Sequence, residues 1–208
     1  MATIGMASKE TQDVCNWCLG DPLYRDYHDQ EWGLPLFDEG KLFEFLILEG
    51  AQAGLAWITV LRKREAYRRA FEGFDPAKIV HYTDRDRAQL VANPGIIRNR
   101  LKIDSALRNA QAYMAMQEAG ERFGDFVWQF VGGQPIQNHW RSLREVPAST
   151  PQSEAMSKAL KKKGFNFVGG TICYAFMQAT GMVNDHLVSC YRHRECALVA
   201  KQRTPSRG

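Results

Sequence analysis

Cysteine and histidine residues near both ends of the 208-residue chain could together bind a metal ion. His186 and Cys190 are four residues apart, a spacing that on a helix places both side chains on one face. A tetrahedral set of two sulfurs and two nitrogens would then need ligands from the other end of the chain. The further candidates are Cys15, Cys18, His28, His193 and Cys196. Spacing leaves the choice among them open.

Four protein ligands would leave no position for water, so a zinc ion here would be structural. Patterns of catalytic zinc are missing from the sequence: it has no His-Glu-x-x-His motif, and residues 28–31 do not place a glutamate as zinc deaminases require. The pair Cys15 and Cys18 lacks the strand, motif and helix context of thiol redox proteins. The alternative is that the cysteines are small buried apolar side chains.

A second group of residues combines aromatic rings with a carboxylate. Large rings usually pack in a core, but they also hold an extruded nucleobase, and a cationic base adds cation–π attraction. Glu49 follows Phe45, Leu46 and Leu48 on an apolar helix, where a carboxylate is costly without a partner. A surface-facing Glu49 is the alternative. The rings are those of Trp17, Tyr24, Tyr27, Trp32 and Trp57.

The segment 90–100 predicts two helices joined by a tight turn at Pro94-Gly95, with Arg98 and Arg100 just after it. Such a turn presents backbone amides and a helix N-terminus to an anion, so a DNA phosphate could dock there without base specificity. An ordinary corner between two helices is the alternative.

Helical spacing of apolar residues and capping signals such as Thr83 and Thr150-Pro151 predict helices around 42–49, 58–71, 84–93, 98–119, 151–163 and 171–180. No stretch alternates with a period of two, so the predicted fold class is all-α. No linker or repeat divides the chain. We therefore expect one domain over 14–195, with unstructured tails at 1–13 and 196–208.

Composition is ordinary for a globular protein, with 45% hydrophobic and 24% charged residues, which disfavours disordered and fibrous classes. The apolar runs are too short to span a membrane and the first residues lack a signal peptide. We therefore expect a cytoplasmic, monomeric protein with reduced or metal-bound cysteines. The net charge of +4 and basic clusters at 62–64, 98–102, 161–163 and 192–194 are compatible with a polyanionic partner or with solvated helix faces.

These residues lie in segments that resemble the DNA-3-methyladenine glycosylase I family of the helix-hairpin-helix superfamily. The resemblance covers nearly everything from Cys15 to Cys190. The matching segments are CNW at 15–17, DPLY at 21–24, YHDQEWG at 27–33, LEGAQAGLAWITVL at 48–61, PGIIR at 94–98, KKKGF at 161–165 and VNDH at 183–186.

The resemblance implies an all-α helix-hairpin-helix glycosylase fold, with the hairpin element at about 85–118. It also implies one structural zinc that joins the N- and C-termini through a lobe formed by 15–28 and 186–190. Cys18, His193 and Cys196 then have no role in metal binding. The implied zinc ligands are Cys15, His28, His186 and Cys190.

The implied activity is monofunctional hydrolysis of the N-glycosidic bond of 3-methyladenine in alkylated double-stranded DNA, the first step of base excision repair. The flipped base is released as 3-methyladenine and an abasic site is left. By resemblance, Glu49 is the catalytic group. The base-binding residues would be Tyr27, Trp57, Trp17, Tyr24 and Trp32, and the DNA contacts Gly54, Leu55, Gly95, Ile96, Ile97, Arg98 and Arg100.

One departure from the family pattern is Ala175, where some relatives carry a small hydroxyl residue. Asp104 follows the hairpin, but this family is understood to lack the catalytic aspartate of its superfamily, so we assign Asp104 no such role. Asn99 stands near the position of the lysine nucleophile of bifunctional relatives, so no strand cleavage is expected. A non-catalytic DNA-binding module and a small helical zinc hydrolase are the competing hypotheses; Glu49 argues against the first and four saturating ligands against the second.

Overall fold

Helices make up most of residues 13–202, the part of the chain that the computed structural model describes. The helices are α1 Pro22–Gln30, α2 Glu39–Gln52, α3 Trp57–Leu61, α4 Arg64–Ala70, α5 Pro76–Ile79, α6 Asp84–Ala92, α7 Arg100–Glu118, α8 Phe123–Trp128, α9 Pro151–Lys162, α10 Gly170–Ala179 and α11 Tyr191–Gln202. Single 3-10 turns lie at Asn16–Cys18, Glu72–Phe74 and Gln129–Val131. Within the same residues, no helix is both long and apolar enough to cross a bilayer.

An all-α fold was predicted, and residues 13–202 are mostly helical, but the prediction of no sheet was wrong because these residues also contain one small parallel ladder. Strand β1, Ile136–Gln137, pairs with β2, Val183–Asn184. Two residues per strand leave no alternating pattern to read, which is why the sequence did not predict them. The ladder fixes the segment that follows β2, and that segment carries part of the candidate site.

Side-chain caps set the starts of several helices. Asp21 accepts hydrogen bonds from the amides of Leu23 and Tyr24 at the start of α1. Thr83 and Thr150 each form a reciprocal capping box, at α6 and at α9, as their positions in the sequence predicted. These caps satisfy amides that have no partner within the helix.

Helix α2 is the centre of the fold. Its residues 42–51 are all buried, and it packs against α3, α7, α8 and α10. Such burial on every side is expected of a helix inside a core. The last turn of α2 therefore holds its side chains rigidly at the edge of that core.

A buried ion network ties α1, α2 and α4 together. Arg64 donates from Nε to Glu44 at 2.7 Å and from Nη1 to Glu31 at 2.7 Å, and its guanidinium lies 5.0 Å from the ring centroid of Phe45. Because a buried charge is stable only when it is paired, this network fixes the relative position of three helices that surround the candidate site.

The C-terminal region differs from the sequence prediction in two ways. Residues 196–202 were expected in a tail but belong to α11, which buries Arg192, Cys196 and Ala200. These three residues are spaced by four, as on one face of a helix, but polar residues surround them and the pattern is weak in the sequence. Residues 1–12 and 203–208, the remainder of the predicted tails, lie outside the described residues. The second correction concerns His186 and Cys190, which lie in a turn between β2 and α11 rather than on a helix.

Candidate active site

A cavity of about 220 Å³ opens beside the end of α2. An engineered cavity of about 150 Å³ holds benzene, so this one has room for a two-ring base. The structure brings together all six residues that the sequence proposed for a base pocket, and Ala175. The lining residues are Trp17, Tyr24, Tyr27, Trp32, Glu49, Gln52, Trp57, Leu143, Val146, Ala175, Gln178 and Asp185.

Aromatic rings form much of the cavity wall and pack against one another. The ring centroids of Tyr27 and Trp57 are 5.5 Å apart, and Trp57 stacks in turn on the core residue Phe45 at 6.4 Å. Trp17 contacts Trp32 at 5.0 Å. Since each ring is held by another ring, the wall is preformed and presents flat apolar faces to the cavity.

Three polar groups on this wall have no partner. Within residues 13–202, no group donates a hydrogen bond to the carboxyl of Glu49, and the hydroxyl of Tyr27 is likewise unpaired. The indole Nε1 of Trp57 is buried and finds no acceptor in the described part of the chain. Buried polar groups are normally hydrogen-bonded, so a buried indole N–H without an acceptor, beside the unpaired oxygens of Glu49 and Tyr27, indicates that a ligand supplies the missing partners.

Burial also controls ionisation in the cavity. Glu49 is 3% exposed, and this burial raises the pKa of its carboxyl to about 8. Burial, with a further contribution from the charge of Glu49, raises the pKa of Tyr27 well above its usual value. Tyr27 therefore stays a neutral phenol, and Glu49 holds its proton at neutral pH unless a cation lies beside it.

The opposite wall is organised by the buried carboxylate of Asp185. It accepts hydrogen bonds from Asn138 at 2.7 Å, Trp140 at 2.8 Å, Tyr174 at 2.6 Å and Gln178 at 2.8 Å. Four donors fill its acceptor sites, so Asp185 holds this wall in place and has little capacity left for a ligand.

Five lining residues were missed by the sequence reasoning as site residues. Asp185 and Gln52 stand inside the matched segments 183–186 and 48–61, which was the signal that could have found them. Gln178 lies one turn after Ala175 on α10. Leu143 and Val146 come from the irregular segment 138–150, and no pattern in the sequence points to them.

The four predicted metal ligands meet next to this cavity. The candidate ligand atoms lie within 4.8 Å of one another, and all four residues are buried. Nδ1 of His186 is 3.1 Å from Nε2 of His28 and 3.7 Å from each of the sulfurs of Cys15 and Cys190. Donor atoms at these separations can surround one ion tetrahedrally.

The outer nitrogens of both histidines are hydrogen-bonded. Nδ1 of His28 donates to Asp29 at 2.7 Å, and Nε2 of His186 donates to the carbonyl of Trp32 at 3.0 Å. Such second partners orient histidines for metal binding. Burial lowers the pKa of His186, which favours the neutral ring that a metal requires.

The other candidate ligands stay outside the cluster. Cys18 donates its thiol to the carbonyl of Cys15 at 3.0 Å, and His193 contacts the carbonyl of Asn138 through Nε2 at 2.7 Å. Cys196 is buried in α11 and is not among the grouped ligands. The alternatives that spacing left open are therefore resolved by position.

The predicted pair of helices joined at Pro94-Gly95 is present as α6 and α7, but its turn differs from the expectation of free amides. The amide of Gly95 donates to the side chain of Asn93 at 2.8 Å, and that of Ile97 donates to the hydroxyl of Tyr67 at 3.1 Å. Ile96 donates to the carbonyl of Asn93 at 3.4 Å. The three amides at 95–97 are therefore occupied within the protein.

Free donors occur slightly later along the chain. In residues 13–202, no acceptor takes the amides of Arg98, Arg100 and Leu101, which lie at the N-terminal end of α7. The side chains of Arg98 and Arg100 are exposed there. Any anion held by the hairpin would thus lie nearer to the start of α7 than the sequence suggested.

Residues 52–55, between α2 and α3, form a type II turn. Its central residues are Ala53, with φ −43° and ψ 119°, and Gly54, with φ +77°. The amide of Leu55 donates to the carbonyl of Gln52 at 2.7 Å. Position three of such a turn requires a positive φ, which favours glycine. The turn presents the half-exposed side chain of Leu55 to a shallow groove that is also lined by Ile96, Ile97 and Arg98.

A comparison with known proteins identifies the family. Residues 17–193 match the family model described as methyladenine glycosylase. The chain belongs to the methyladenine glycosylase family.

Relatives of this family member agree with that assignment. The chain is 56% identical to DNA-3-methyladenine glycosylase 1 of Escherichia coli strain K12 over 176 residues, which are 85% of this chain and 94% of the relative. A crystal structure of 3-methyladenine DNA glycosylase I is 55% identical with a TM-score of 0.85, covering 86% of this chain and 98% of the other. A variant of such an enzyme in complex with 3-methyladenine is 35% identical with a TM-score of 0.82, covering 86% and 96%.

In this methyladenine glycosylase, two residues after the hairpin have identifiable partners. Asp104 lies 3.7 Å from Arg87 and 3.9 Å from Arg100, so it connects α6 and α7. The side chain of Asn99 caps α7 by accepting the amide of Lys102 at 3.1 Å. Both contacts are structural in kind.

Proposed function

We propose that the chain removes 3-methyladenine from alkylated DNA by holding the extruded base in the aromatic cavity. Hydrolysis of this N-glycosyl bond is the activity expected from the sequence, and family membership supports it. The observation that carries the proposed mechanism is the set of unpaired groups on Tyr27, Glu49 and Trp57, which surround a space lined by rings. A flat base with hydrogen-bonding edges fits such a site.

The rings and the carboxyl group of the cavity favour a cationic base. Methylation at N3 gives adenine a positive charge, and Tyr27 and Trp57 offer π faces that attract cations. The cost of burying a charged Glu49 falls when the bound base is positive, so binding of the base and ionisation of Glu49 reinforce each other. Binding therefore discriminates against neutral adenine.

The methylated base is a good leaving group, so strong acid catalysis is unnecessary. Water adds to C1′ of the sugar, the electron pair of the glycosidic bond neutralises the departing base, and the proton of the water passes to solvent. The protein contributes binding energy that is available only to the extruded base, and Glu49 is its catalytic group because it touches that base. Bifunctional relatives carry a lysine nucleophile near the position of Asn99. Because an asparagine side chain cannot form a Schiff base with the sugar, the proposed route is hydrolysis by water.

For the metal site, we infer one structural zinc. The two sulfurs and two nitrogens of the cluster match the donors that zinc prefers, and four protein ligands fill its coordination sphere. When bound, the zinc crosslinks the 15–28 and 186–190 segments. Cys15, His28, His186 and Cys190 would hold it, and the reaction itself does not use it.

For DNA, we infer that α6 and α7 act as a helix-hairpin-helix element on duplex phosphates. The free amides of Arg98, Arg100 and Leu101 and the two arginine side chains offer donors at a helix N-terminus. Leu55 lines the same groove as Ile96 and Ile97, and Gly54 precedes it in the type II turn. An apolar side chain at such a turn can enter the base stack where the extruded base leaves.

The test is to incubate the protein with methylated duplex DNA and to identify the released bases by chromatography. We expect 3-methyladenine in solution and abasic sites in uncleaved strands. Absence of released 3-methyladenine from a folded protein would contradict the proposed activity, and strand cleavage through a Schiff base would contradict the proposed hydrolytic route.

A further inference from the structure

Lys102 connects the two elements that are proposed to contact DNA. It lies in the first turn of α7, directly after the hairpin. Its Nζ donates to the carbonyl of Ala51 in the last turn of α2 at 2.8 Å and to the carbonyl of Ala53, directly after α2, at 2.7 Å. The side chain is partly buried, and burial lowers the pKa of its amine.

The two carbonyls that Lys102 contacts lie where the chain turns. The last carbonyls of a helix have no partner within it, and a cation near them also interacts favourably with the helix dipole. Ala53 is the second residue of the type II turn that presents Leu55. The ammonium group of Lys102, which belongs to α7, therefore hydrogen-bonds to the backbone of the 52–55 turn.

A second lysine makes a contact in the reverse direction. Lys63, which precedes α4, donates from Nζ to the carbonyl of Pro94 in the hairpin at 2.8 Å. Two ammonium groups thus join the hairpin to the α2–α4 region: Lys102 reaches the end of α2 and the turn after it, and Lys63 reaches the hairpin from the start of α4. Of these two, Lys102 is the one that contacts the turn carrying Leu55.

We propose that Lys102 is a positioning residue that fixes the 52–55 turn relative to the hairpin, so that phosphate binding by the hairpin sets where Leu55 enters the duplex. This inference rests on the proposed function of both elements. It deepens that function by naming the residue that couples phosphate anchoring to base extrusion. Because Glu49 lies two residues before Ala51 and four before Ala53, the same contact also sets the distance between the anchored backbone and the cavity.

The contacts of Lys102 separate this role from nucleophilic catalysis. A lysine nucleophile needs a free amine that can reach C1′ of the sugar. The amine of Lys102 is instead held by two carbonyls. A positioning role predicts that base extrusion fails while base binding persists.

The test compares Lys102→Met, which keeps the apolar stem and loses the donor, with Lys102→Arg, which keeps donors. Lys78→Met, at an exposed lysine on α5, is the control. Four properties are measured: affinity for free 3-methyladenine by tryptophan fluorescence, affinity for undamaged duplex, single-turnover release from methylated duplex, and the fluorescence of 2-aminopurine next to the lesion, which rises when the stack opens.

For Lys102→Met we expect release from duplex to fall about tenfold or more, because small misplacements at a reacting site have large effects on rate. The 2-aminopurine signal should fall with it. Affinities for the free base and for undamaged duplex should stay within about twofold, and Lys102→Arg should recover part of the rate. Lys78→Met should behave as the unchanged protein.

Two results would overturn the inference. One is an unchanged rate of release in Lys102→Met. The other is a parallel loss of free-base binding, which would show that the substitution disrupts the cavity or the fold. Release by the unchanged protein tests the proposed function separately, so failure of Lys102 as a positioning residue is distinguishable from failure of the glycosylase activity.

Discussion

The cluster of Cys15, His28, His186 and Cys190 lies beside the aromatic cavity, and the two differ in how their polar groups are paired. In the cluster, the donor atoms face one another and both outer histidine nitrogens are hydrogen-bonded. In the cavity, polar groups of Glu49, Tyr27 and Trp57 have no hydrogen-bond partner among residues 13–202. The first arrangement is complete once it holds a cation, which suits stability. The second is complete only with a ligand, which suits binding and turnover.

The substitution Glu49→Ala, which removes the unpaired carboxyl from the cavity, is the strongest test of this difference between the cavity and the cluster. We expect release of 3-methyladenine from methylated DNA to fall by about 100-fold or more, a loss typical of removing one preorganised polar group from an active site. Folding should persist, since the removed carboxyl is buried without a partner. Single-turnover release and thermal unfolding measure the two effects. Turnover within twofold of the unchanged enzyme would refute the assignment of the cavity.

The reverse pattern is expected in the cluster. Cys190→Ala should abolish stoichiometric zinc and lower the free energy of unfolding by about 3 kcal/mol or more, because metal binding contributes directly to folding. Free-base affinity of the protein that remains folded should change less. Metal analysis and urea unfolding provide the measurements.

Cys18→Ala is the matched control for the cluster. Cys18 is as buried as Cys15 and lies three residues away, but its thiol bonds to a carbonyl instead. The variant should retain one zinc per chain and lose about 1–2 kcal/mol. Loss of the metal from Cys18→Ala, or its retention in Cys190→Ala, would show that the ligands are wrongly chosen.

The pH dependence of base release tests the role assigned to the carboxyl of Glu49 in the cavity. Burial raises the pKa of Glu49 to about 8, so the ionised group that favours a cationic base becomes populated as pH rises. We expect kcat/KM for base release to increase by up to about tenfold per pH unit below 8 and to level off above it. Glu49→Gln should flatten this rise. A profile that is flat in the unchanged enzyme would exclude titration of Glu49.

The smallest effect is expected at Asp104. Its long contacts with Arg87 and Arg100 indicate a weak tie between α6 and α7, so Asp104→Asn should change release by less than about threefold and stability by less than about 1 kcal/mol. Steady-state release and thermal unfolding test this. A loss of about 100-fold would instead give Asp104 the role of the aspartate that much of the superfamily uses.

Local signals in the sequence predicted what depends on neighbouring residues. Thr83 and Thr150 begin helices where expected, because capping involves residues within one turn. The rings and Glu49 could be singled out because their residue types were unusual for their surroundings. That they line one cavity follows from the packing of α1, α2 and α3.

What the sequence missed depends on distant contacts. The amide of Ile97 was expected to be free, but the hydroxyl that occupies it comes from Tyr67, thirty residues earlier. Leu143 and Val146 reach the cavity from an irregular segment that has no period to read. The four donors to Asp185 come from two separate parts of the chain, the irregular segment after β1 and helix α10. No local pattern encodes such pairings.

Adjacent positions in the chain belong to the Cys/His cluster and to the cavity. Tyr27 precedes His28 on α1, and Asp185 precedes His186 after β2. Inserting one residue between Tyr27 and His28 would misalign one site whenever the other is kept, since one residue turns a helix by about 100°. An insertion between Asp185 and His186 would likewise shift one of them out of place, because the β ladder fixes the chain just before them. Relatives should therefore vary in length elsewhere, and the two sites should be inherited as one unit, so that neither can be redesigned or transplanted without carrying the other.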